Sequence, residues 1–113
     1  MALDAIAAGI KRFKDQTQDP RTEAALRRGI DELRLGQPKY EEMSSGLANV
    51  TRQQLPQLTA MIAQFGAVKS VTFKGVGPGG ADIYEVSFEN GSTEWRILMQ
   101  SDEKIASVGV RVL

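Results

Sequence analysis

The stretch Ile-Tyr-Glu-Val-Ser-Phe-Glu-Asn-Gly-Ser-Thr-Glu-Trp-Arg-Ile-Leu-Met, residues 83–99, decides the fold. Apolar and polar residues alternate on both sides of Asn90-Gly91, which is typical of two antiparallel strands joined by a tight turn. Asn-Gly supplies the two residues with positive φ that a type I′ hairpin turn needs. The register that follows pairs Phe88 with Thr93, Val86 with Trp95, Tyr84 with Ile97, Ser87 with Glu94, Glu85 with Arg96 and Ile83 with Leu98.

A second hairpin is predicted after the first, with Asp102-Glu103 as its loop. Its register pairs Met99 with Ala106, Ile97 with Val108, Trp95 with Val110, Thr93 with Val112 and Glu94 with Arg111. Both hairpins assign the same face of the shared strand to the core, which strengthens the prediction. An earlier strand with period two, carrying Val71 and Phe73, completes a four-stranded antiparallel meander.

The first half of the chain is predicted to be helical. Leu3, Ile6, Ile10 and Phe13 recur at helical spacing, and Asp19-Pro20 is a typical helix start. A short helix around Met43 and a further helix with a capping box at residues 51–54 follow. Because the helices precede the strands and do not alternate with them, we predict one α+β domain, with three or four helices in residues 1–66 and the sheet in residues 67–113.

Composition excludes several kinds of chemistry. The chain of 113 residues has no Cys and no His, so thiol catalysis, disulfides and the commonest zinc ligands are excluded. Its 14 basic residues balance its 14 acidic ones, which argues against nucleic acid as a partner. No apolar stretch is long enough to span a bilayer, and the first residues do not form a signal peptide. We therefore expect a soluble protein, cytoplasmic or periplasmic, with no membrane partner, metal or cofactor.

Three groups of residues are candidate sites of chemistry. The glycine-rich residues 75–80 lack the following helix and Lys-Ser/Thr of a phosphate loop, so a flexible connection is the better interpretation. The carboxylates of Asp82, Glu85, Glu89 and Glu94 are interpreted as solvated partners of surface arginines rather than as an acid–base or cation site. Tyr84 and Trp95 have the only polar tips predicted on the inner face, where they either line a ligand pocket or serve as core aromatics.

The outer face of the predicted sheet carries one apolar cluster, formed by Ile83, Leu98 and Ile105. A contiguous apolar cluster bordered by charges usually marks a contact surface, and a two-fold homodimer is its simplest form. The alternative is that the N-terminal helix folds over this face and covers the cluster.

Residues 52–112 resemble a small bacterial domain of the cystatin-like, or nuclear-transport-factor-like, α+β superfamily. The resemblance is carried by Arg52-Gln-Gln-Leu-Pro56, Phe65-Gly66, Ser70-Val71, Phe73-Lys-Gly-Val76, Gly80, Asp82, Tyr84-Glu-Val86, Phe88, Gly91 and Glu94-Trp95. Similar domains occur alone and beside serine hydrolase domains of the β-lactamase-like kind. The resemblance implies a cystatin-like fold and an accessory role, and it transfers no catalytic residue.

Two functions are therefore predicted. The first is a non-catalytic accessory or protein-interaction domain, self-associating through its sheet or lying next to a hydrolase domain. The alternative is a small-molecule-binding cup, or a weak isomerase or cyclase, that uses Tyr84 and Trp95. A pocket between helices and sheet that holds a buried acid would favour the alternative.

Overall fold

The computed structural model describes residues 3–113 and has three α-helices followed by a four-stranded sheet. The helices are α1 (Leu3–Asp15), α2 (Thr22–Arg34) and α3 (Ser45–Phe65); the strands are β1 (Val68–Val76), β2 (Asp82–Phe88), β3 (Gly91–Met99) and β4 (Ile105–Val112). Short 3₁₀ turns lie at Tyr40–Glu42 and Pro78–Gly80. The strand order is β1-β2-β3-β4, antiparallel throughout, so the predicted α+β class and meander are confirmed.

The core lies between the inner face of the sheet and the helices α2 and α3. The buried apolar residues of the sheet are those that alternate inward, and Leu26 and Ile30 of α2 and Ile62 of α3 pack onto them. None of the helices in the described part of the chain is long and apolar enough to cross a membrane.

α3 is one helix where the sequence predicted two. Ser44 caps it, accepting a hydrogen bond on Oγ from the Leu47 amide at 3.2 Å. Thr51, predicted to be the N-cap of a later helix, is instead buried in the middle of α3. Pro56 lies on the exposed side of this helix and does not end it.

The predicted β2–β3 register is wrong by two residues. Tyr84 is opposite Trp95, and Glu85 is opposite Glu94, because the turn consists of Glu89 and Asn90. Neither turn residue has positive φ, so the turn is not type I′. A shift of two residues keeps every side chain on its predicted face, and the core assignment survives the error.

Gly91 has a reason of its own to be glycine. Its φ is 154°, and a Cβ at this position would overlap the ring of Phe65 at the end of α3. The Asn90 amide donates to the Phe65 carbonyl at 2.9 Å, which ties the turn to α3. The Asn-Gly pair therefore reflects a helix contact and not a type I′ turn.

The β3–β4 register is as predicted from Thr93 opposite Val112 as far as Leu98 opposite Ser107. An irregularity between Leu98 and Met99 then places Met99 opposite Ile105, not opposite Ala106. The longer loop, in which Glu103 has a φ of 69°, accounts for the extra residue.

α1 packs against the Pro78–Gly80 turn and not against the outer face of the sheet. A Cβ on Gly9 would overlap the carbonyl oxygen of Gly79, so two backbone segments meet directly there. Residues 75–80 therefore form a packed turn as well as a connection. The apolar stripe of α1 remains in solvent, with Leu3, Ile6, Ile10 and Phe13 exposed by 83%, 44%, 59% and 42%.

Candidate functional site

A cavity of about 340 Å³, here called the α2–α3 cavity, lies between these two helices and the β3–β4 half of the sheet. Its lining is mostly apolar. The helices and the loop between them contribute Ala25, Leu26, Gly29, Ile30, Leu33, Pro38, Met43, Leu47, Val50, Thr51 and Leu58, and the sheet contributes Trp95, Ile97, Ile105, Val108, Gly109 and Val110.

Trp95 forms part of the cavity floor. It is 2% exposed, and its indole N–H donates to Thr93 Oγ1 at 2.7 Å. The only polar group of this side chain is thus satisfied within β3. Trp95 offers the cavity ring surface and no free hydrogen-bond donor.

Gly29 leaves part of the α2 wall without a side chain. An added Cβ at this position would have no heavy atom within 4 Å, and its φ is that of an ordinary helical residue. Space at Gly29 and the apolar ring of Trp95 lie on opposite walls of the same cavity.

The lining also includes charged side chains, those of Arg28, Glu32, Lys39 and Glu42. Arg28 of α2 pairs with Glu42 across the opening, with Nε and Oε2 3.4 Å apart. The Glu32 carboxylate accepts from the Lys39 amide at 3.3 Å on Oε1, and its Oε2 is a buried atom without a hydrogen-bond partner among residues 3–113. The buried oxygen of Glu32 can accept a hydrogen bond from a polar group of a ligand, whereas the rest of the interior recognises apolar groups.

Tyr84 does not line this cavity, although it lies directly opposite Trp95 in the sheet. Its hydroxyl is shielded from solvent and lies 2.7 Å from Thr22 Oγ1. Gln18 Nε2 donates to the same hydroxyl at 2.6 Å. The two residues predicted to share a ligand pocket therefore face different surroundings, and their joint ligand-binding role stays a prediction.

The hydroxyl of Tyr84 belongs to a buried polar cluster that joins the α1–α2 connection to β2. Asp82 Oδ2 accepts from Thr22 Oγ1 at 2.6 Å and from the Asp19 amide at 2.9 Å. Asp19 in turn pairs with Arg21 at 2.7 Å, and Arg21 Nη1 donates to the Gln100 carbonyl at 2.9 Å. We call Gln18, Asp19, Arg21, Thr22, Asp82 and Tyr84 the polar cluster.

The pKa values of the two carboxylates in the polar cluster are shifted in opposite directions. Burial raises the pKa of Asp82, against the lowering effect of its bonds from Thr22 and Asp19. The Arg21 guanidinium holds the pKa of Asp19 below its usual value. Asp82 is 0% exposed, and its Oδ1 is a buried atom without a hydrogen-bond partner in the described part of the chain. Burial also raises the pKa of the Tyr84 hydroxyl.

Asp82 corrects one sequence interpretation. The sequence predicts a solvated carboxylate here, as at Glu85, Glu89 and Glu94, but the Asp82 side chain is buried on the inner face with Tyr84. The alternation of β2 contained this information, because residues two apart share a face of the sheet. Of the other three, Glu94 pairs with Arg111 at 2.9 Å, as expected for a surface carboxylate.

The predicted outer-face cluster is incomplete. Ile105 is 8% exposed and belongs to the hydrophobic core, because the irregularity at Met99 turns it inward. Ile83 and Leu98 stay on the outer face and are half-buried, with Ile83 now opposite Arg96. α1 does not cover them with its apolar stripe, which is itself exposed.

Comparison with known proteins adds no relative: no protein-family model matches the chain, and no curated protein or solved structure is significantly similar to it.

Proposed function

We propose that this chain is a non-catalytic binding domain whose α2–α3 cavity takes up an apolar group. The observation that carries the proposal is the cavity itself, about 340 Å³ in volume and floored by Trp95. This volume falls within the range of ordinary ligand sites. Apolar cavities with few polar groups hold water poorly and bind small apolar molecules.

The hydrogen bonds of Trp95 and Tyr84 argue against an isomerase or cyclase that acts through these two residues, although Glu32 brings one buried carboxylate oxygen to the cavity. The Trp95 donor is used by Thr93, and the Tyr84 hydroxyl is used by Thr22 and Gln18. An isomerase or cyclase acting through Tyr84 and Trp95 would need both polar tips in one site. Only Trp95 reaches the cavity.

The cavity also replaces the outer face as our preferred binding surface. Self-association through the outer face was predicted from three apolar residues, of which Ile105 is in the core. A cystatin-like fold and an accessory role beside a hydrolase domain remain part of the proposal. Helices laid across one face of a four-stranded meander support the fold, and the accessory role rests on the resemblance alone.

The experiment is to fill the cavity without disturbing the fold. Gly29→Leu adds a side chain where a Cβ meets no atom, and Gly46→Leu makes the same change on an exposed turn of α3 outside the cavity. Toluene, indole and cyclohexane are titrated into each protein, and binding is followed by amide chemical shifts and Trp95 fluorescence. We expect saturable binding to the wild type and to Gly46→Leu, and at least tenfold weaker binding to Gly29→Leu. Absence of saturable binding by the wild type, or equal binding by all three proteins, would overturn the proposal.

A further inference from the structure

The two edges of the sheet are protected differently. β1 has register irregularities between Val68 and Ser70 and between Phe73 and Gly75, and it carries Lys69 and Lys74. The Gln16 side chain also hydrogen-bonds to both backbone groups of Val76: its Nε2 donates to the carbonyl at 2.9 Å, and its Oε1 accepts from the amide at 3.0 Å. Bulges, lysines and covering groups are the devices that keep edge strands from pairing with other chains.

β4 lacks these devices over residues 107–112. Ser44 bonds to the carbonyls of Ile105 and Ala106, at 2.8 and 2.9 Å, which covers the start of the strand. Beyond Ala106, no Pro, Lys or register irregularity interrupts the sequence Ser-Val-Gly-Val-Arg-Val. Such an edge is a template for a further strand.

The direction of the free backbone groups follows from the pairing with β3. Val112 is opposite Thr93, and the Leu113 amide donates to the Ser92 carbonyl at 3.0 Å. In an antiparallel ladder this makes the Val112 pair a non-hydrogen-bonded one. The amides and carbonyls of Val108, Val110 and Val112 therefore point away from β3, and no hydrogen bond within residues 3–113 occupies them.

The α2–α3 cavity reaches this same edge. Val108, Gly109 and Val110 all belong to its lining, although Gly109 alternates to the other face of the strand. An added Cβ on Gly109 would meet nothing within 4 Å, so the packing of the described chain gives no reason for glycine there. Glycine inside a strand often marks the close approach of another backbone.

We propose that the free edge of β4 accepts an extended segment of a partner protein as a fifth strand, with one large apolar side chain of that segment entering the α2–α3 cavity. The proposal rests on the function proposed above and names the partner as a polypeptide. Side chains of an added strand alternate between faces, so every second one lies on the side of Val108 and Val110.

A second copy of this chain fits the site less well than a different partner. The inward residues that a second β4 would offer after Ala106 are valines, whose side chains have three carbon atoms. A cavity of about 340 Å³ has room for a leucine, methionine or phenylalanine side chain. The partner segment is therefore expected to alternate polar residues with at least one large apolar residue.

The test selects random eight-residue peptides displayed on phage against the full chain and measures the enriched peptides by calorimetry. We expect sequences with alternating polarity and one large apolar position. Their affinity should fall at least tenfold in Val112→Pro, which removes an amide that points away from β3, and in Gly29→Leu. Gly46→Leu is the matched control and should bind as the wild type does.

Methylation of the peptide tests the edge without changing the protein. Methyl groups on the peptide amides that face β4 should abolish binding, and methyl groups on the alternate amides should not. Toluene binding by the wild type with no enriched peptide, or with peptides indifferent to the methylation pattern, overturns the β4 proposal but leaves the cavity function standing. Loss of both peptide and toluene binding overturns both. A wild-type dimer that Val112→Pro converts to a monomer assigns the edge to a second copy and also overturns the proposal.

Discussion

The β1–β2 and β3–β4 halves of the inner face are alike in strand length and alternation but differ in how they meet the helices. On the β1–β2 half, Tyr84 and Asp82 end in hydrogen bonds that tie the start of α2 to the sheet. On the β3–β4 half, Trp95 faces a cavity. Tyr84 and Trp95 lie opposite each other in the register. Neighbouring positions of one sheet thus differ in role: one anchors a helix by hydrogen bonds, and the other lines a cavity.

This difference indicates where a substitution should lower the free energy of unfolding most. A buried hydrogen-bonded group leaves unpaired partners when it is removed, and each such group costs about 1–3 kcal/mol. A wall residue beside a cavity has room to change. The polar half is therefore expected to hold the fold together, and the cavity half to be free for binding.

The largest expected effect is the loss of the polar cluster. Asp82→Ala leaves the Asp19 amide without its acceptor and removes one partner of the Thr22 hydroxyl, so the free energy of unfolding should fall by about 1–3 kcal/mol. Urea denaturation measures the change. Asp82→Asn retains an acceptor oxygen and should lose less. Equal stability of Asp82→Ala and the wild type would mean that the cluster does not hold the two elements together.

A smaller effect is expected from pH. Since the folded-state pKa of Asp82 is raised, its contribution to the free energy of unfolding decreases as pH rises from the unfolded pKa, about 4, through the folded value. Asp19, whose pKa is lowered, acts oppositely: its contribution is present above the unfolded pKa and is lost as pH falls through the folded value.

Comparison of the wild type with Asp82→Asn isolates the first contribution, because both proteins keep Asp19. The wild type should lose its advantage over Asp82→Asn as pH rises from about 4 through the raised pKa of Asp82 in the folded state. Urea denaturation at four or five pH values measures this difference. A difference that is independent of pH would show that Asp82 has no raised pKa.

The smallest expected change in stability comes from a substitution on the cavity half of the inner face. Gly29→Ala puts a methyl group into open space within α2 and removes a helix-interior glycine. The free energy of unfolding should rise by about 0.5–1 kcal/mol. Thermal unfolding followed by circular dichroism measures it. A destabilised variant would show that the wall at Gly29 is already closed.

The sequence predicted much of the fold and little of the candidate site. Alternation predicted the inner face of the apolar residues of β2 and β3 even where the β2–β3 register was wrong, because an error of two residues preserves the face. The Asn90-Gly91 motif predicted the wrong turn type, because Gly91 is required by its contact with Phe65, a residue distant in sequence. The same limit hid the inward turn of Ile105, which depends on one extra loop residue.

The cavity could not be predicted, since empty space depends on how α2 and α3 are spaced above the sheet. Trp95 was identified as a candidate, but the open wall at Gly29 has no sequence signature. The sequence could have predicted part of the polar cluster, because Asp82 and Tyr84 are two residues apart in β2 and therefore share a face of the sheet. Its partners Asp19 and Thr22 come from a segment some sixty residues earlier, and no short-range pattern connects them.

The meeting of Gly9 with the Pro78–Gly80 turn has a consequence for motion. Among the described side chains, Arg12 of α1 donates to the Gly80 carbonyl at 3.4 Å, and Gln16, just after the helix, bonds to Val76, while the apolar stripe of α1 contributes little burial. Elements that bury little apolar surface open locally, at free energies below that of global unfolding. We therefore expect its amide protons to exchange with solvent deuterium long before those of β3, as those of a separate cooperative unit would.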